Sequence, residues 1–200
     1  SAANAVMIGA LQPVVLLGVA GPLFGEKPPK IVYFWSTIAM GGVAFFTYAS
    51  DTTGVATRQG DLLALIGMLL FSAYYVISKQ TREELDSMVY QLGLTLAAAV
   101  TIVPFAFAFG HGISPPTGNE WWPVILMALL PGAGHWLTNY AHAHVPLVTM
   151  SLVNLLFTVV APIYAWILVE EKLGGAQALG MAVVLIALSQ VVTKPIESSS

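Results

Sequence analysis

The sequence predicts an all-α, polytopic bundle of about seven transmembrane helices. Three observations carry that prediction. Charged residues make up only 8% of the 200-residue chain, against roughly 25% in ordinary soluble domains. Hydrophobic residues make up 57%, too many for a surface that faces water. The few charges also cluster, leaving 1–25, 31–50, 62–78, 87–119, 121–169 and 173–193 free of Asp, Glu, Lys and Arg. Such a chain is solvated by lipid.

A bilayer core about 30 Å thick takes about 20 apolar residues per helix, so most of these runs are one span each. The run from Trp121 to Val169 would make a single helix of about 73 Å, which is two spans. The break falls at HAHVP (His142 to Pro146), because proline disfavours helical geometry in the residue before it. The predicted spans are therefore 4–24, 31–49, 61–79, 88–109, 121–142, 146–169 and 174–192. The segments between them (EKPPK, SDTTGVATRQGD, KQTREELDS, GHGISPPTGNE) carry turn chemistry. The alternation expected of barrel strands is absent, and the serine-rich tail from Ser198 to Ser200 reads as disordered. The first run lacks the basic start and small-residue cleavage pattern of a signal peptide.

Loops alternate across the membrane. One side collects Lys27, Lys30, Lys79, Arg82 and Lys194, and the other only Arg58 and Lys172. This asymmetry places the first side, with the C-terminus, in the cytoplasm of a cell whose inner or plasma membrane holds the chain. Trp121, Trp122 and Tyr33–Trp35 sit at span starts, as interfacial aromatics do.

The chain also repeats itself. Residues 11–27 laid over 156–172, an offset of 145, agree at seven of 17 positions, among them Glu26/Glu171 and Lys27/Lys172. The first copy lies on span one and the second on span six. Five crossings apart, the copies run in opposite directions. Three spans precede span six within its repeat. Their counterparts before span one would take about 84 residues absent from the sequence, so the chain reads as the C-terminal part of a ten-helix, inverted-repeat protein. The implied organisation is the last two helices of a first repeat (1–50), a linker (51–60), a five-helix second repeat (61–193) and a cytoplasmic tail (194–200).

These residues resemble a known family. An apolar helix with a proline, then AWILVEEK and a small-residue helix (GGAQALGMAVVLIALS), is similar to the close of an EamA repeat of the drug/metabolite transporter superfamily. In the first copy AGPLFGE keeps the family's Gly-Glu and lacks its Trp. In the second, Glu170 replaces the glycine. GDLLALIGMLLFSAYYVISK resembles the opening helix of a second repeat, and GAGHWLTNYAHAHVPLVTMSLVNLL its eighth-to-ninth helix passage. The resemblance covers essentially the whole chain. It implies ten helices, cytoplasmic termini and a secondary transporter that exports small metabolites by alternating access between two inverted halves. The rival reading is a truncated module that transports nothing or depends on a partner.

Polar side chains within spans are costly in lipid and usually face a bundle interior or cavity. Ser151, Asn154 and Thr158 share one helical face, and His135, Asn139 and His142 share another. With Tyr74 or Tyr75 they form a candidate substrate pocket, while the bland alternative is hydrogen bonding between helices. Gln12 on the first span is buried by the same logic. His135, well inside a span, is a candidate for proton coupling or a packing residue. Glu26, Lys27, Glu171 and Lys172 close the two repeats at helix ends, where a structural role is favoured over gating. Gly41-Gly42, Gly132-x-Gly134 and Ala176-x-x-x-Gly180 allow close helix packing, and Pro13, Pro131 and Pro162 allow bends.

The sequence calls for no cofactor and no metal. It has no cysteine, and its few histidines lack a nearby carboxylate. No P-loop, carboxylate pair or Ser/His/Asp set marks an enzyme. The expected partners are the lipid bilayer, a small-molecule substrate, and either a second copy or the absent helices. Nucleic acid is excluded for want of a basic patch.

Overall fold

A computed structural model of the chain describes residues 2–50, 57–110, 115–170, 173–194 and 196–198. The architecture is that of an all-α bundle. Its helices are α1 (Ala2–Gly9), α2 (Gln12–Phe24), α3 (Lys30–Ala49), α4 (Arg58–Arg82), α5 (Ser87–Phe109), α6 (Trp121–His142), α7 (Leu147–Val153), α8 (Phe157–Val169) and α9 (Gly175–Val192). Among the described residues, six segments are long and apolar enough to cross a membrane: Ala5–Phe24, Lys30–Ala49, Arg58–Arg82, Ser87–Phe109, Leu147–Leu168 and Gly175–Val192. The predicted fifth span, α6, has the length, but its prolines, tryptophans and histidines dilute its apolar character.

Local chemistry sets the helix ends. Asp86 accepts the Met88 amide at 2.8 Å and starts α5. Before α6, the Glu120 carboxylate accepts the Thr117 amide at 2.8 Å and its hydroxyl at 3.0 Å. These bonds, the backbone one foremost, hold the Glu120 carboxyl below the usual carboxylate range. Pro29 in extended geometry precedes α3, where the residue before the helix needs no amide donor of its own.

Two compact units make up the chain: residues 1–76 with 145–200, and residues 77–144. In the first, Leu16, Val32, Val43, Leu147, Leu152 and Val184 are fully buried and form the centre of the core. Helices α3 and α9 make its principal contact. They touch through glycine: a Cβ built on Gly180 would lie 2.9 Å from the Phe46 backbone nitrogen, and one on Gly42 would lie 2.9 Å from the Val184 side chain. The short strands β1 (Glu26–Lys27) and β2 (Glu197–Ser198) pair antiparallel. Ser198, expected to be disordered, is thus tied to the end of the first repeat copy.

The repeat read in the sequence recurs as geometry at the same offset. Helices α1 and α7 begin at Ala2 and Leu147, and α3 and α9 at Lys30 and Gly175. The residues before the latter pair, Pro29 and Gly174, are both extended (φ −65°, ψ 154° and φ −73°, ψ 152°). Both copies are interrupted at the same place: Ala10–Leu11, between α1 and α2, aligns with Leu155–Leu156 in the 3₁₀ turn Asn154–Leu156. Both close on a left-handed residue, Gly25 (φ 62°) in one and Glu170 (φ 56°) in the other.

Glycine accepts that conformation without cost, whereas an L side chain crowds its own carbonyl by roughly 1–2 kcal/mol. Glu170 is the sole non-glycine residue with positive φ among the described residues. Glu170→Gly is therefore expected to stabilise the protein by about 1 kcal/mol, read as a higher thermal midpoint in detergent. A lower midpoint would mean that the Glu170 side chain contributes more than its backbone costs.

Candidate functional site

The interruption between α1 and α2 has a plain cause. Pro13 has no N–H to give the Gly9 carbonyl four residues back, and its ring would collide with that carbonyl. A new helix starts at Gln12, where proline in the first turn is tolerated. In the other copy, α7 gives way to a 3₁₀ turn at Asn154–Leu156 before α8 begins. Pro162 then withholds an amide from the Thr158 carbonyl.

A cavity of about 420 Å³ lies where the two interruptions meet, within the size range of small-molecule sites. Gly9, Gln12, Asn154 and Thr158 line it from the broken helices, and Met68 and Phe71 line it from α4. Gln12 is 2% exposed. Its Oε1 accepts from Asn154 Nδ2 at 3.2 Å, joining the two copies at their breaks. Gln12 Nε2 is buried and finds no acceptor among the described residues. The lining thus pairs apolar surface with two amides.

The other predicted residues of this unit sit around the cavity or behind it. Phe71 carries the aromatic contact: its ring stacks on Tyr74 (centroids 5.6 Å apart, planes at 22°) and lies 5.2 Å from Tyr75. Tyr75 is buried in the core, and Tyr74 packs against it. Ser151 is fully buried and donates to the Val148 carbonyl of its own helix at 2.7 Å.

Glu26 has a defined structural position. It is 2% exposed, and its carboxylate accepts the Leu147 amide at 2.5 Å and the Val148 amide at 3.1 Å. These are the first two residues of α7, whose amides have no partner within the helix. A buried anion there is favoured by both hydrogen bonding and the helix dipole. Lys27 pairs through its backbone with Glu197. Glu171 and Lys172 lie outside the described residues.

His135, Asn139 and His142 belong to the second unit. Its centre is Arg82, buried, whose Nε donates to the Asn139 carbonyl at 3.0 Å and whose Nη2 donates to Ser87 Oγ at 2.6 Å. Asn139 is fully buried and donates from Nδ2 to Gln91 Oε1 at 2.6 Å. His142 is fully buried near enough to Lys79 and Arg82 to feel both charges, whereas His135 is exposed on α6. No group of three His, Cys, Asp or Glu residues suited to a metal occurs among the described residues.

Gln12 and Pro13, which read as a buried polar residue and a bend, lie at the break itself. The available signal was their adjacency to Gly9: a glycine four residues before a proline, in a run otherwise fit to span, marks a break that frees polar groups. Apolar helices, a repeat interrupted twice at equivalent positions and a cavity at the interruptions together describe a polytopic membrane protein of the transporter class.

The comparisons agree. Residues 58–193 match the model of the EamA-like transporter family, and the chain belongs to that family. A solved structure, titled only as the crystal structure of a protein, superposes with a TM-score of 0.82 at 18% identity. It covers 96% of this chain and 68% of its own, a likeness of fold. No curated protein matches the chain.

Proposed function

We propose that the protein is a secondary transporter that exports small metabolites across the cell membrane, with its C-terminus in the cytoplasm. The two copies of the repeat cross in opposite senses and rock about the cavity at their interruptions, opening it to each side in turn. The observation that carries this reading is the coincidence of both helix breaks with the 420 Å³ cavity. Broken helices bring unsatisfied backbone into a membrane interior, where it is tolerated only beside protein or a solvated cavity. Gln12, Asn154 and Thr158 contact the substrate, and Tyr74 and Tyr75 support Phe71 behind it. The excess of basic residues on one set of loops supports the orientation.

Proteoliposomes loaded with a labelled mixture of amino acids and other small polar metabolites test the proposal. At least one solute should leave faster than from protein-free vesicles, and Gln12→Leu or Asn154→Ala should slow that efflux by about tenfold or more. Efflux equal to that of empty vesicles for every solute would sink it and favour a module that does not transport. Undiminished efflux in both variants would move the site elsewhere.

A further inference from the structure

We infer that the cavity at the paired helix breaks takes an uncharged, flat solute with a hydrogen-bond donor and acceptor side by side, of the carboxamide, urea or lactam class, and rejects ions. The inference rests on the cavity being the transport site and names what that site selects. Three features carry it.

The first is the absence of charge. Among the described residues, the lining holds no Asp, Glu, Lys, Arg or His. An ion entering it would lose water and gain no counter-charge, whereas a neutral amide loses far less.

The second is the pattern left by the two side-chain amides. Asn154 Nδ2 is committed to Gln12 Oε1. That leaves Gln12 Nε2, buried with no acceptor among the described residues, and the Oδ1 of the exposed Asn154, which takes no part in that bond. One donor and one acceptor on adjoining residues of the same cavity match the edge of a primary amide, which offers a carbonyl oxygen beside an N–H. A carboxylate offers no donor and an amidinium offers no acceptor, so either would leave one protein group unsatisfied.

The third is the room for a body behind that edge. Phe71 and Phe157 supply aromatic surface and Met68 a pliable wall. A Cβ added at Gly9 would meet nothing within 4 Å, so the cavity is open where α1 ends.

Benzamide, benzoate and benzamidinium share one skeleton and differ in charge at neutral pH. Their binding to the purified full chain in lipid nanodiscs, followed by saturation-transfer NMR and equilibrium dialysis, tests the inference. Benzamide should bind about tenfold or more tightly than either ion. Gln12→Leu should remove that preference, and Gln12→Glu should shift it toward benzamidinium. Gly9→Leu, which fills the cavity, should abolish binding of all three. Circular dichroism and thermal midpoints identify any variant that fails to fold, and the wild-type ranking stands independently of them.

Tightest binding by an ion, still abolished by Gly9→Leu, would overturn the solute class while leaving the site in place. Binding indifferent to both Gly9→Leu and the Gln12 variants would overturn the site and the inference together. Saturable binding by none of the three would overturn the inference as well.

Discussion

Replacing Glu26 with alanine is expected to destabilise the protein by about 3 kcal/mol, visible as a lower thermal midpoint in detergent. The carboxylate is buried and holds two amides that open α7. Hydrogen bonds to a charged group contribute about 1.5–3 kcal/mol each, and the amides left behind are buried as well. Glu26→Gln keeps one carbonyl acceptor of nearly the same shape and should lose about half as much. An unchanged midpoint in the alanine variant would show that Leu147 and Val148 find other acceptors, and that the cap is dispensable.

A comparable loss is expected where α3 meets α9. Gly180→Val would drive a branched side chain into the Phe46 backbone, where even a single Cβ lies 2.9 Å from the nitrogen and 3.0 Å from Cα. Backbone cannot swing aside as a side chain can, so the two helices must separate along their main contact. Overpacking of this kind costs about 3 kcal/mol at the upper end of its usual range. Gly41→Ala is the control on the same helix. A Cβ there meets nothing within 4 Å, and alanine is the better helix former by about 1 kcal/mol. If both variants melt alike, close approach at Gly180 is not what holds these helices together.

The spans were legible because lipid imposes so simple a rule: runs free of charge, ended by Gly, Pro and charged residues, return as helices close to their predicted limits. The repeat was legible for a similar reason, since Glu26-Lys27 and Glu171-Lys172 stand out against an apolar background. What the sequence concealed were contacts made between distant segments. It marked Glu26 as a helix end but not as the cap of a helix 121 residues further on. Arg82 read as a loop charge, yet it is buried against the last turn of α6. Ser151, placed on a polar stripe with Asn154 and Thr158, bonds to its own helix, a choice of rotamer that spacing alone does not determine. The break at Ala10–Leu11 left a fainter mark, a proline four residues after Gly9 in a run apolar but for Gln12.

The way the chain divides has a consequence for biosynthesis. Residues 77–144 are contiguous, and that unit can close while 145–200 is still being translated. The other unit is assembled from 1–76 and 145–200, and the partners of Glu26 lie 121 and 122 residues downstream. At roughly 5–20 residues per second, Glu26 is made about 6–24 s before Leu147. Throughout that interval the two amides that Glu26 caps in the finished protein do not yet exist. Glu197 and Ser198, made later still, then pair with Glu26 and Lys27, so the close of the first repeat copy is fastened by a strand that follows the second.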